Sequence, residues 1–183
     1  SSYTGLGNFI LKTPFIRAIK KEYPDCKIDL LCGFSWGVED VLKDSSVVDK
    51  VYWLQPKSSI KEKHALFLEL KKNNYNIVFL PFDASPRFVK IFSQLYLNGS
   101  KIISHFNVHN LDIKQRIKSI LDLILFPSFD WVPTLKCRHE TDLNFDLLQV
   151  LTPKPITKDY QTYISWQKED VSHLRLPETY VVI

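Results

Sequence analysis

Apolar residues recur along this chain in short blocks of two kinds. The strings KIDLLC at 27–32 and YNIVFL at 75–80 are nearly continuous in apolar residues, as expected for strands that are buried on both faces. Between such strings the apolar residues recur at three- and four-residue spacing, which is typical of amphipathic helices. Strands that alternate with helices predict an α/β fold, a Rossmann-like doubly wound parallel sheet flanked by helices.

The predicted elements follow one another along the whole chain. Helices are predicted at about 14–22, 38–42, 58–72, 86–97, 113–126 and 138–151. Strands are predicted at 27–32, 50–54, 75–80, 101–105 and 179–183, with a short extended piece at 160–164. Residues 127–133 contain two prolines among aromatic residues. We interpret them as an irregular connection, because proline interrupts regular backbone pairing.

The turn at residues 5–8 opens the first helix–strand unit. Gly5 and Gly7 allow a backbone turn without Cβ atoms, where an oxygen-rich ligand can come close. Asn8 is a candidate cap for the first helical turn, and Thr13 followed by Pro14 offers a second helix start. A glycine turn of this kind normally follows a strand. We therefore expect a preceding strand and interpret the sequence as a piece of a longer protein.

Composition excludes several classes of protein. A hydrophobic share of 45% with 24% charged residues argues against disorder. No apolar run approaches the roughly 20 residues that a membrane-spanning helix needs. Cys26, Cys32 and Cys137 show no metal-ligand spacing, which favours reduced thiols in a cytoplasmic protein. The net charge of +4 permits an anionic partner, but no basic run with interleaved aromatic residues indicates nucleic acid.

Candidate binding residues follow predicted strands, where ligands of parallel sheets bind. Asp83, Ser85 and Arg87 lie in the loop after the 75–80 strand. A carboxylate or a phosphate-binding guanidinium would be useful there, although a turn or cap role is the plainer interpretation of Asp83. We expect this loop and the 5–8 turn to line one cleft.

The string GLGNFILKTPFIRAIKKEYPDCKIDLL at 5–31 resembles the start of glycosyltransferase family 9, the ADP-heptose:lipopolysaccharide heptosyltransferases. The similarity continues more loosely at 49–51, 75–78 and 98–102, and it returns in HETDLNFDLL at 139–148. Nearly the whole chain is covered. The resemblance implies the GT-B arrangement, in which two Rossmann-like domains face each other across a cleft.

On this basis residues 1–157 are expected to form the amino-terminal, acceptor-side domain without its first strand. Residues 158–183 would be the interdomain link and the first strand of a donor-binding domain. The family transfers sugar with inversion, needs no metal or cofactor, and here would use a nucleotide-sugar donor, ADP-heptose, held by the missing domain. The implied acceptor is a lipid-linked glycan of the lipopolysaccharide core. The implied location is the cytoplasm, with peripheral contact at the inner face of the inner membrane.

Position 8 departs from the family's pattern, which has an aspartate, its likely base, directly after the second glycine. The resemblance places Asn8 there, and an amide has no useful basicity near neutral pH. Three interpretations remain open. Asn8 caps a helix, it orients the acceptor hydroxyl while another group is the base, or it marks a protein that has lost transfer activity.

The predicted site contains eight residues. Asn8 and Asp83 are the catalytic candidates, and the acceptor-binding candidates are Gly5, Gly7, Lys12, Ser85, Arg87 and His139. The imidazole of His139 could donate to an acceptor phosphate or carboxylate, or simply face solvent at a helix start. Leu143 stands where the family often has arginine, which weakens the carry-over for that helix. The alternative for the whole chain is a non-catalytic binding or scaffolding domain, and the 183-residue piece alone is expected to be inactive.

Overall fold

The computed structural model describes residues 5–33, 37–42, 46–81, 86–107, 113–134 and 138–162. Its helices are α1 (Leu6–Ile10), α2 (Thr13–Glu22), α3 (Val38–Leu42), α4 (Ile60–Lys72), α5 (Arg87–Tyr96), α6 (Ile113–Leu125) and α7 (Glu140–Gln149). Its strands are β1 (Asp29–Cys32), β2 (Lys50–Trp53), β3 (Ile77–Leu80), β4 (Lys101–Asn107) and β5 (Phe129–Thr134). The predicted strand at 179–183 and the end of the extended piece at 160–164 lie outside the described residues.

The described strands form two parallel sheets. β1 pairs with β2, with Asp29 opposite Lys50 and Cys32 opposite Trp53. The second sheet has the order β3-β4-β5 and is parallel throughout. Parallel neighbours joined by helices place the carboxyl ends of the strands on one edge. The predicted α/β fold of parallel strands and intervening helices is confirmed, with a division between β1 and β3.

Helices cover both faces of the strands. On one face α2 and α7 share an apolar cluster that includes Phe15, Ala18, Phe145, Leu147 and Leu148. The Phe15 ring meets that of Phe79 in β3 edge to face, with 5.2 Å between centroids. On the other face α4 and α5 pack through a cluster that includes Phe67, Leu80 and Val89. The α2–α7 contact brings the beginnings of these two helices together, which builds the site described below.

A cavity of about 910 Å³ lies between β1 and β3. Leu30 and Leu31 line it from the first sheet, and Val78 and Leu80 line it from the second. Residues of α2 close one face, and residues of α4 and α5 close the other. In the described part of the chain neither β1 nor β3 has a strand partner on this side. We call this cavity the interstrand slot.

The sequence predicted α4 correctly from the residues near its ends. Its N-cap Ser59 accepts from the backbone N–H of Glu62 at 3.3 Å, and the Glu62 carboxylate accepts from the Ser59 N–H at 2.6 Å. This capping box satisfies two backbone donors that the helix cannot pair itself. Asn74, with φ of 48°, adopts the left-handed conformation that ends many helices.

The beginnings of α1 and α2 differ from the prediction. Gly5 is the N-cap residue of α1, without a side-chain cap, and Asn8 lies inside the helix. The interpretation of Asn8 as a cap is therefore wrong. In α2 the N-cap residue is Lys12, and Thr13 is already helical, with its hydroxyl donating to the Ile10 carbonyl oxygen at 2.7 Å.

The prediction of an irregular connection at 127–133 is wrong, because β5 occupies most of it. β5 pairs with β4 up to Pro133 opposite Phe106 and Thr134 opposite Asn107. Among the described strands β5 is an edge, where proline is tolerated because its missing N–H can face away from the partner. The same pairing extends β4 to Asn107, beyond its predicted end.

Candidate functional site

Residues 5–8 lie at the carboxyl edge of the first sheet. Phe9 of α1 is buried in the same apolar cluster as Cys32, the last residue of β1, and α1 contacts α3, the helix that follows β1. Gly7 is exposed, and a Cβ atom built there would meet no other atom within 4 Å. The surface beside Asn8 is therefore open enough for a ligand to approach the backbone of α1.

Lys12 links this segment to α7. Its Nζ donates to the Asn8 carbonyl oxygen at 3.3 Å and lies 2.9 Å from Oε1 of Glu140, the first residue of α7. The side chains of Lys12 and Glu140 are 3% and 15% exposed. Because water is largely excluded, this ion pair is screened far less than a surface pair. It holds a carboxylate beside the Asn8 segment.

His139 and Thr141 complete the junction. Nδ1 of His139 accepts from the Thr141 backbone N–H at 3.3 Å, which makes His139 the N-cap residue of α7. A neutral ring that accepts at Nδ1 carries its proton on Nε2, and the exposed side chain can offer that proton to an anion. Thr141 donates from its hydroxyl to the Leu11 carbonyl oxygen at 3.3 Å, which ties α7 to the α1–α2 connection.

The structure thus brings five predicted residues to one junction, where α1, α2 and α7 begin. They are Gly5, Gly7, Asn8, Lys12 and His139. Sequence reasoning missed Glu140, although its position directly after His139 was available as a signal. Its importance comes from the contact with Lys12, which is distant in sequence. Glu140 is a carboxylate that contacts Lys12, the same side chain that donates to the Asn8 carbonyl oxygen.

Arg87 has a partner of its own at the start of α5. Its Nε and Nη2 donate to Oδ1 of Asp122 in α6 at 3.1 and 2.7 Å, and Lys90 donates to Oδ2 at 2.8 Å. Burial by itself would raise the pKa of Asp122, but the hydrogen bonds from Lys90 and Arg87 outweigh it and lower that pKa. The acceptor-binding role of Arg87 stays a prediction. Asp83 and Ser85 lie outside the described residues, so the shared cleft stays a prediction too.

Other reactive groups in the described ranges do not form a second centre. Burial raises the pKa of the Cys32 thiol to about 11, so this cysteine is protonated and inert at neutral pH. The described histidine, cysteine and acidic residues include no group of three arranged to hold a metal ion. Within the same ranges, every helix is too short or too polar to cross a membrane.

Two solved structures resemble this fold. One is a glycosyl transferase family 9 protein from Veillonella parvula, with a TM-score of 0.64 and 17% identity over 91% of this chain and 44% of that chain. The other is ADP-heptose LPS heptosyltransferase II from E. coli, with a TM-score of 0.51 and 13% identity over 90% of this chain and 47% of that chain.

This chain therefore spans less than half the length of either protein. No model of a known protein family matches the sequence, and no curated protein matches it either. The likeness extends over about 90% of the chain and agrees with the resemblance at 5–31 and 139–148. The chain has the α/β fold of about half of each of these GT-B glycosyltransferase structures.

Proposed function

We propose that this chain is the acceptor-binding half of an inverting, metal-independent glycosyltransferase. The enzyme moves a sugar, in our proposal heptose from ADP-heptose, onto a lipopolysaccharide-core or related glycan. The observation that carries the proposal is the fold, since two proteins named as glycosyltransferases share it over about 90% of the chain. Residues 1–157 form the acceptor side, residues 158–183 lead to the donor side, and the nucleotide-sugar binds to a domain outside this chain.

The junction of α1, α2 and α7 suits this reaction. The acceptor hydroxyl attacks the anomeric carbon, the bond from that carbon to the diphosphate breaks, and the hydroxyl proton passes to a base. The Asn8 amide orients the hydroxyl but cannot take its proton. We assign the proton to Glu140, because its carboxylate and the Asn8 carbonyl contact the same Lys12 ammonium. Lys12 holds the Glu140 carboxylate in place through their 2.9 Å ion pair.

The remaining predicted residues bind the acceptor in this proposal. Gly5 and Gly7 leave room for it beside α1, and Gly7 faces open space. His139 donates from Nε2 to a phosphate or carboxylate of the glycan, and Arg87 adds positive charge at the start of α5. Such an acceptor is lipid-linked, which places the enzyme in the cytoplasm against the inner face of the inner membrane.

The test uses the full-length protein that contains this chain. ADP-heptose and a heptose-deficient lipopolysaccharide core should yield a product heavier by one heptose, with inverted anomeric configuration by NMR and unchanged yield in EDTA. Glu140→Gln should lower kcat by about 100-fold, within the range for loss of a general base. Glu69→Gln, at a carboxylate in an exposed pair with Lys50, is the matched control and should leave kcat unchanged.

Asn8→Ala separates chemistry from folding. Gly5 is the N-cap residue and Asn8 lies inside α1, so alanine should leave the melting temperature unchanged or slightly higher. Loss of the orienting amide should lower kcat by about 10-fold, or ~1.4 kcal/mol of transition-state stabilisation, without changing the KM for the nucleotide-sugar. An unchanged kcat would remove Asn8 from the mechanism.

A scaffolding role is the second candidate, and the amide at position 8 is the observation that favours it. A scaffold would bind the glycan but form no product with any nucleotide-sugar, and Asn8→Asp would not restore transfer. Glycan binding is measured by calorimetry in both cases. Binding without product would therefore favour the scaffold over the enzyme.

A further inference from the structure

Helix α6 presents an apolar stripe to solvent. Ile113, Ile117, Ile120 and Ile124 are 77%, 53%, 53% and 67% exposed. At 3.6 residues per turn these four positions fall within an arc of about 60°. The opposite side of α6 faces the protein core, where Asp122 is buried. A helix that is amphipathic in the normal sense would hide its apolar side and expose its polar side. The outer face of α6 has the reverse arrangement.

Cationic residues flank the exposed apolar face of α6. Arg116 lies directly beside the isoleucine stripe, and Lys118 lies on the other side, beyond Leu121 and Leu125, which are 43% and 51% exposed. The one acidic residue in the α6 sequence is Asp122, and it is turned inward to Arg87 and Lys90. Among the α6 side chains that the structure describes, those on the outer face are apolar or cationic.

We propose that α6 is an interfacial anchor that binds the surface of an anionic lipid bilayer. Its isoleucines enter the boundary between headgroups and acyl chains, and its cations contact lipid phosphates. Long cationic side chains reach headgroups while their stems lie along apolar surface. At about 20 Å, α6 is too short to cross a bilayer and long enough to lie in its plane. A protein groove would also accept the stripe, but cations on both flanks match a plane of phosphates better.

The anchor is independent of the proposed transferase activity, but it would serve it. β4 ends at Asn107 and α6 begins at Ile113. The amino end of α6 therefore lies on the same side of the sheet as the strand carboxyl ends, the side on which the 5–8 segment sits. If the proposed function holds, α6 bound to lipid would bring this side close to a lipid-linked acceptor.

The test is co-sedimentation of the purified full-length protein that contains this chain with vesicles of phosphatidylcholine, with or without phosphatidylglycerol. Wild-type protein should sediment with the phosphatidylglycerol vesicles. Ile124→Asp should weaken binding by at least about 10-fold, because one buried apolar side chain is replaced by a carboxylate that does not enter the apolar layer. Lys118→Glu should weaken binding to the phosphatidylglycerol vesicles by about 5-fold or more, and it should not change binding to vesicles of phosphatidylcholine alone. Circular dichroism confirms that each variant is folded.

Ile60→Asp is the matched control, because Ile60 of α4 is 77% exposed and carries the same side chain outside α6. It should bind vesicles as wild type does. The proposal fails if Ile124→Asp sediments like wild type, or if Ile60→Asp loses binding equally. It is also overturned if wild type does not sediment with the phosphatidylglycerol vesicles. If Ile124→Asp then converts a dimer to a monomer in ultracentrifugation, α6 is a protein interface instead.

Discussion

Two apolar surfaces of this molecule, the interstrand slot and the outer face of α6, differ in what their backbone offers. The slot is concave, and its sides are the edges of β1 and β3. A strand edge presents peptide groups that seek hydrogen bonds. The α6 face is convex and presents side chains only, because a helix pairs its peptide groups internally. Both surfaces are apolar, but we expect them to bind different partners, because only the slot has peptide groups that need hydrogen bonds.

A strand is the natural complement of the slot. A strand within a sheet needs about 4.8 Å of width beside each neighbour and about 10 Å of thickness between the layers that cover it. The slot measures about 910 Å³. One more parallel strand there would join both sheets into the single sheet expected of a doubly wound fold. This agrees with the strand expected before Gly5, which stays a prediction. Lipid needs no backbone partner, so it suits α6 and not the slot.

The sharpest contrast between the two surfaces should be thermodynamic. Leu80 borders the slot and is 2% exposed, whereas Ile124 is 67% exposed. Leu80→Ala should lower the free energy of unfolding by about 3 kcal/mol, and Ile124→Ala should change it by less than about 0.5 kcal/mol. Urea unfolding followed by circular dichroism measures both. A cost below about 1 kcal/mol for Leu80→Ala would mean that the slot behaves as solvent-exposed surface.

Asp122 should hold the α6 face in place. Asp122→Asn leaves Arg87 and Lys90 without their shared carboxylate, and we expect a loss of about 2 kcal/mol in unfolding free energy, reduced by the partial exposure of Arg87. Asp130→Asn, which removes an exposed pair with Lys101, should cost less than about 0.5 kcal/mol. Equal costs in urea unfolding would show that α6 is not anchored through Asp122.

The same contact predicts a dependence on acid. The pKa of Asp122 is lowered below its usual 3.8, so the native state binds its proton less readily than the unfolded state does. Its contribution is therefore complete above the unfolded-state pKa and is lost as pH falls through the folded-state pKa. Asp122→Asn should remove this part of the acid sensitivity in unfolding experiments below pH 4, a limit set roughly by the ordinary carboxyl pKa.

The smallest loss of stability should come from a substitution at the amino-terminal end of the slot. Tyr75, just before β3, donates from its hydroxyl to Oδ2 of Asp29 in β1 at 2.6 Å, which joins the two sheets. Tyr75→Phe should cost about 1 kcal/mol, since this bond is partly buried and its acceptor is charged. Tyr160→Phe removes an exposed bond to Asp142 of 2.7 Å and should cost less. If the two losses were equal in thermal unfolding, the bridge would not stabilise the slot.

The order of elements and several of their ends could be predicted from the sequence. The capping box of Ser59 and Glu62 and the left-handed Asn74 depend on backbone groups a few residues away, so a short window contains the whole cause. The continuous apolar strings predicted β1 and β3 for a similar reason, since a strand that is buried on both faces has apolar residues at nearly every position. The resemblance at 5–31 led to the fold that the solved structures share.

The tertiary structure decided the rest. β5 forms despite Pro133 because β4 offers it an edge, and Glu140 meets the Asn8 segment because the α2–α7 packing brings Lys12 to it. The slot exists because β1 and β3 are held apart between helices on both faces. Each of these features depends on contacts between residues far apart in the chain. Apolar periodicity and capping residues depend on neighbours along the chain, so they do not predict such contacts.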